Sequence, residues 1–183
     1  MAIQRIHHVA YRCKDALETV KWYEKYMGMT YQLAFAENRV PSTQEPDPYM
    51  HVFLDCGNGN VLAFFELPTK PDMGRDENTP AWVQHIAFEV ESMDELLAAK
   101  AKLEADGIEV VGPTDHTMFE SIYFFDPNGQ MLHVGSNQGL NQSIWTSGLS
   151  SSSSHLWGAS FSLSERRTCL PLMWQYQDLR ARL

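Results

Sequence analysis

Apolar and polar side chains alternate along two stretches of the chain that resemble each other. The first, R-I-H-H-V-A-Y-R-C, starts at Arg5, and the second, W-V-Q-H-I-A-F-E-V, starts at Trp82. A period of two residues predicts a β-strand with one covered face. The alignment matches His8 with His85, so one structural unit is used twice. Both histidines then come from the same point of that unit and could converge on one site.

Each predicted first strand is followed by a helical segment and three further strands. The helices are predicted over about Asp15 to Met27 and Met93 to Asp106. Hairpin turns are predicted at Asn58-Gly59 and Asn128-Gly129. The other predicted strands are about Met29 to Ala36, Met50 to Cys56, Asn60 to Leu67, Ile108 to Val111, Ser121 to Asp126 and Gln130 to Val134. The order strand-helix-strand-strand-strand therefore occurs twice, in an α+β fold.

Composition narrows the class of protein. The chain has 183 residues and a net charge of −9, which argues against a nucleic-acid partner. Its three cysteines are far apart, which predicts free thiols rather than a disulfide framework. We expect a cytoplasmic protein without a membrane partner, since no stretch reads as a signal peptide or a membrane span.

Two regions of different composition divide the chain. Residues 1–135 carry the periodic segments and most of the charge, and we predict that they form the folded domain. Residues 136–183 are rich in serine, including a run from Ser150 to Ser154, and show no lasting period. This composition predicts a weakly ordered tail.

Side-chain parity predicts which residues share a face of each sheet. One face is apolar and suits a covering helix, whereas the other collects His8, His51, His85, His133 and Tyr123. Several imidazoles with one phenol favour a metal site. The alternative is a set of histidines that are hydrogen-bonded separately.

These motifs resemble a known family. H-H-V-A-Y-R-C-K-D, Q-H-I-A-F-E-V and S-I-Y-F-F-D-P-N-G-Q-M-L-H are similar to segments of the vicinal oxygen chelate superfamily, which includes glyoxalases, extradiol ring-cleaving dioxygenases and bleomycin-resistance proteins. The resemblance covers about residues 3–135. It implies two βαβββ modules, at about 3–67 and 82–135, which form one cupped mixed sheet with the helices on its outer face. A divalent metal is expected in the cup.

The resemblance also implies a set of metal ligands. His8 and His85 match the ligands on the first strands, and His133 stands where the family usually has a glutamate. This replacement removes one negative charge from the site. We expect Fe(II) as the metal, with Mn(II), Ni(II) or Zn(II) as alternatives.

Catalytic residues are implied in the same way. Tyr123 matches a tyrosine that extradiol enzymes place beside the bound diol. Their acid–base histidine would fall near Asn60, so His51 or His116 would have to replace it. A glyoxalase would need a fourth ligand at Ala63, which leaves that reaction without its full ligand set.

An aromatic-lined cup suits a flat substrate. The predicted substrate-binding residues are Phe53, Asn60, Phe65, Phe125 and Met131. We predict an extradiol-type dioxygenase that acts on a catechol-like substrate as a homodimer. Two alternatives stay open: a glyoxalase-like lyase or isomerase acting on an α-hydroxy carbonyl compound, and a non-catalytic small-molecule binding protein of the bleomycin-resistance kind.

Overall fold

The computed structural model describes residues 2–117 and 119–136. Its elements are β1 (Val9–Cys13), α1 (Ala16–Met27), β2 (Thr30–Glu37), β3 (Tyr49–Asp55), β4 (Val61–Glu66), β5 (His85–Val90), α2 (Met93–Ala105), β6 (Val111–Asp115), β7 (Glu120–Phe125) and β8 (Met131–Ser136). The predicted α+β fold of two βαβββ modules is confirmed. The predicted tail lies outside the described residues, apart from Ser136 at the end of β8.

Each module forms its own four-stranded mixed sheet. The strand orders are β1-β4-β3-β2 and β5-β8-β7-β6, so the modules repeat the same topology. In both sheets the first strand runs parallel to the last, and the other pairs are antiparallel. Backbone hydrogen bonds therefore build two four-stranded sheets, one in each module, whereas the resemblance implied that the modules form one cupped mixed sheet.

The two helices begin at matching capping residues. The side chain of Asp15 accepts a hydrogen bond from the Glu18 amide, and that of Ser92 accepts one from the Glu95 amide. These caps satisfy amides that have no partner within the helix. None of the helices in the described part of the chain is long and apolar enough to cross a membrane.

One apolar core takes side chains from both sheets. Its buried strand residues include Val52, Leu54, Leu62, Phe64, Ile122, Phe124, Leu132 and Val134. Side chains alternate along a strand, so His51 and His133 each lie on the face of their sheet that is turned away from this core. We call these the open faces. The predicted parity of both modules is therefore correct.

A buried polar network links α1 to the turn between β7 and β8. The Tyr23 hydroxyl donates to the Asp126 carboxylate over 3.0 Å. The Asn128 side chain donates to Thr19 over 3.1 Å and to Asp126 over 3.0 Å. Because β8 carries His133, this network ties the first module to a strand of the candidate site.

β6 begins later than predicted. The sequence predicted a strand over Ile108 to Val111, but the structure has β6 at Val111–Asp115. The Ile108 amide donates to the Leu103 carbonyl over 3.0 Å, and Gly107 adopts a positive φ of 78°. The Ile108 amide therefore takes part in capping the end of α2, and its apolar side chain packs on the core rather than extending a strand.

Candidate functional site

The open face of the first sheet carries a cluster of imidazole and phenyl rings. His51 stacks on Phe65 with 3.6 Å between the ring centroids, and Phe53 lies 4.1 Å from His51. His8, just before β1, lies 6.2 Å from His51 and 5.7 Å from Phe53. These four residues form the first-sheet cluster. His51 is 6% exposed, whereas His8 is open to solvent.

A second cluster lies on the open face of the other sheet. The His133 ring is 5.6 Å from His85 and 4.9 Å from Tyr123. Nε2 of His116 lies 2.8 Å from the Tyr123 hydroxyl, within hydrogen-bond distance. His85, His116, Tyr123 and His133 form the second-sheet cluster. It therefore combines two predicted ligands with two of the predicted catalytic residues.

Hydrogen bonds determine which ring nitrogens remain available. Nδ1 of His85 lies 3.2 Å from the Trp82 carbonyl oxygen, which can only accept, so this contact places the proton on Nδ1. The lone pair of His85 is then on Nε2, as in many metal-bound histidines. Nε2 of His133 is 2.6 Å from the Ser121 hydroxyl. The other ring nitrogen of His133, Nδ1, does not take part in this contact.

Burial keeps two of the histidines neutral. Desolvation, followed by the neighbouring His85 and His116, lowers the pKa of His133 to about 4. Desolvation, followed by His8, lowers the pKa of His51 to about 4. Both rings are therefore uncharged near neutral pH. A neutral imidazole is the form that binds a metal or accepts a proton.

The donor chemistry fits a divalent metal, but the described part of one chain does not bring a full set of ligands together. Among residues 2–117 and 119–136, no group of three or more His, Cys, Asp or Glu side chains is arranged to hold a metal ion. His8 belongs to the first-sheet cluster, and His85 and His133 belong to the second. Their joint role as ligands stays a prediction.

The predicted substrate-binding residues are divided between the sheets. Phe53 and Phe65 belong to the first-sheet cluster, whereas Phe125 and Met131 are neighbours on the second sheet. Asn60 lies in the turn between β3 and β4, where its side chain donates to the Gly57 carbonyl over 3.1 Å. It is part of neither cluster.

Sequence reasoning missed two groups that orient the imidazoles. Parity placed Ser121 on the open face, but no pattern indicated its contact with His133. The contact of His85 with the Trp82 carbonyl is also invisible in the sequence, since any residue type carries a carbonyl. Both contacts depend on local backbone geometry.

The motifs, the paired modules and the open-face clusters agree with one family. Residues 5–134 match the Glyoxalase/Bleomycin resistance protein/Dioxygenase superfamily. The chain belongs to this superfamily. Its members include glyoxalase I enzymes and dioxygenases, so membership defines the fold more narrowly than the reaction.

A curated relative carries a more specific name. The chain is 26% identical over 86 residues to the "Putative ring-cleaving dioxygenase MhqA" of Bacillus subtilis (strain 168). The match covers 47% of this chain and 27% of that protein. The chain thus matches only about a quarter of its relative's length.

Solved structures share the fold at low identity. A glyoxylase/bleomycin resistance protein/dioxygenase domain from Frankia sp. EAN1pec superposes with a TM-score of 0.62 at 16% identity, covering 75% of this chain and 100% of that one. A mutant of the fosfomycin resistance protein FosX from Listeria monocytogenes, complexed with Mn(II), gives 0.54 at 17% identity, with coverage of 79% and 99%. A protein of the same fold therefore binds a divalent metal.

Proposed function

We propose that this chain is a metal-dependent, ring-cleaving dioxygenase that acts on a catechol-like substrate. The observation that carries the proposal is the hydrogen-bonded pair of Tyr123 and His116 beside His85 and His133. It supplies a proton acceptor next to two imidazoles suited to a metal. The similarity to the relative named as a ring-cleaving dioxygenase supports the same reaction.

His8, His85 and His133 would hold the metal, which we take to be Fe(II). When bound, it would chelate the two adjacent oxygens of the substrate and provide a place for dioxygen. The protein contributes neutral ligands, since burial keeps the pKa of His133 low. The Trp82 carbonyl contributes by holding His85 in the tautomer with a free Nε2.

Tyr123 and His116 accept the proton that leaves the substrate. In the His116 tautomer with its proton on Nδ1, the Tyr123 hydroxyl donates to Nε2 of His116 and can accept a hydrogen bond from a substrate hydroxyl. A proton that leaves the diol can then reach Nε2 of His116 through this hydroxyl. The phenyl rings of Phe53, Phe65 and Phe125 suit a flat aromatic substrate.

The complete site would need a second copy of the chain. His8 lies on the first sheet, and no single chain brings three ligands together in its described part. Apolar residues are also exposed on this sheet's open face, with Leu33 at 48% and Phe35 at 42%. A homodimer that sets this face over the second-sheet cluster of the partner would bury them and complete the ligand set.

Oxygen uptake tests the reaction. The protein is loaded with Fe(II) without oxygen, mixed with a panel of substituted catechols, and then exposed to oxygen in an electrode cell. We expect oxygen consumption and a yellow product, and Tyr123→Phe should retain the metal but react far more slowly. If the metal is bound and no catechol in the panel consumes oxygen, the proposed reaction is wrong.

Mixed dimers test the shared site. His8→Ala and His133→Ala should each be inactive alone, because every site in either homodimer lacks one ligand. Refolded together, they should recover roughly a quarter of the wild-type rate, because half of the random pairs are mixed and each holds one intact site of two. If capture through a tag on only one of the variants shows mixed dimers and the mixture still stays inactive, the shared site is wrong.

A further inference from the structure

The linker between the modules holds an arginine over the open face of the second sheet. The guanidinium carbon of Arg75 lies 5.2 Å from the centroid of the Phe125 ring, which is a cation–π distance. Phe125 pairs with Met131 across the sheet, and Met131 pairs with His85. Arg75 therefore lies at one end of a row of open-face side chains, and a candidate ligand lies at the other.

Contacts on both sides of Arg75 hold the linker in place. On one side, Nη2 of Arg12 donates to the Pro71 carbonyl over 2.5 Å. On the other, the Trp82 carbonyl contacts His85. The linker is therefore attached to the first sheet before Arg75 and to the second sheet after it.

Within the described residues, Arg75 forms no ion pair with a carboxylate. None of the ion pairs found among the described residues involves it, whereas Lys70 of the same linker pairs with Asp47 at 2.9 Å. The chain as a whole is acidic, with a net charge of −9. An arginine that stacks on a ring keeps its planar N–H donors available for an anion.

The distance between the candidate ligand His85 and Arg75 suits a small aromatic acid. Adjacent strands are about 4.8 Å apart, so β5 and β7 are separated by about 10 Å. A catechol whose diol lies beside His85 and His133 would extend its ring over Met131. A carboxylate on the far side of that ring would then approach Arg75.

From this row we propose that Arg75 selects substrates in which the catechol ring carries a carboxylate. The inference rests on the proposed function, because it takes the diol to bind beside His85 and His133. Arg75 acts in binding and specificity, and it takes no part in the proton transfer assigned to Tyr123 and His116.

A matched pair of ligands tests this selection without turnover. Binding of 3,4-dihydroxybenzoate and of the neutral 3,4-dihydroxybenzamide to the Fe(II)-loaded protein is measured by calorimetry in the absence of oxygen. We expect the acid to bind on the order of tenfold more tightly than the amide, as one charge-assisted contact would give. Added salt should reduce this preference.

Two variants and a control identify the residue responsible. Arg75→Met keeps an apolar stem over Phe125 and should remove the preference for the acid, and Arg75→Lys should retain part of it. Arg39→Met removes an arginine from the loop after β2 and should leave the preference intact. If the wild type binds both ligands equally, or if Arg75→Met keeps the preference, the inference is wrong and the proposed function stands. If the wild type binds neither ligand, the inference is also wrong, and the oxygen-uptake panel decides the proposed function separately.

Discussion

Tyr23→Phe removes one hydroxyl from the network that joins the modules. Tyr23 is 1% exposed, Asp126 is 5% exposed, and the hydrogen bond between them is 3.0 Å long. The carboxylate would keep its contacts with Asn128 and Gln130. A buried hydrogen bond to a charged group contributes about 2 kcal/mol. For a domain of this size that loss lowers the unfolding midpoint by about 4–8 °C.

The effect should depend on pH. Burial raises the pKa of Asp126, and the Tyr23 hydrogen bond opposes this rise. A raised folded-state pKa means that Asp126 favours folding below its unfolded pKa, and this contribution is lost as pH rises through the folded pKa. Tyr23→Phe raises the folded pKa further, so its cost should be larger at about pH 7 than at about pH 3.

A second tyrosine on the same helix provides the control. Tyr26 donates to Asp106 over 2.9 Å, but this contact is exposed to solvent. Tyr26→Phe should therefore change the unfolding free energy much less than Tyr23→Phe. Urea unfolding followed by circular dichroism at both pH values measures the two variants. Equal costs for the two tyrosines, or a cost of Tyr23→Phe that is the same at both pH values, would refute the reasoning.

Two further variants, each with a control, test the ligand position and the close backbone contact of Gly112 in β6. His133→Glu supplies the carboxylate usual in the family and should tighten Fe(II) binding on the order of tenfold in an anaerobic titration, whereas His133→Gln should not; equal affinities for the two variants would count against His133 as a ligand. Gly112→Ala should cost about 3 kcal/mol in thermal unfolding, because φ is +108° and a Cβ would lie 2.4 Å from the Ser121 carbonyl oxygen. Gly107→Ala, with a φ of +78° and open space around it, should cost only about 1 kcal/mol.

Alternation along the strands predicted the open faces because it is a local property. A strand that buries Val52 and Leu54 must turn His51 and Phe53 to the other side. The same rule placed Tyr123 and His133 on one face, and the structure confirms this. The helices were predicted to within a residue, since Asp15 and Ser92 are strong capping residues.

The sequence did not predict how the two modules are placed relative to each other. A repeat shows that His8 and His85 occupy equivalent positions, but it gives no distance between the two copies of the unit. The resemblance implied one cupped sheet, and in the described part the structure has no hydrogen-bonded pairing between strands of different modules. Core packing and the Tyr23–Asp126 network hold the modules together instead.

The open-face side chains of the two modules make different contacts, although the topology of the modules is the same. His85 contacts a backbone carbonyl, whereas Nδ1 of His8 lies 2.7 Å from Nδ1 of His7. The second-sheet cluster holds the Tyr123 hydroxyl within hydrogen-bond distance of a histidine, so the proposed proton transfer belongs to that module. The first sheet offers His8 and stacked phenyl rings, which suit a ligand and a substrate wall. A dimer that pairs the open face of the first sheet with the open face of the partner's second sheet would therefore supply both sets of groups at each of its sites. One module alone supplies only one of the two sets.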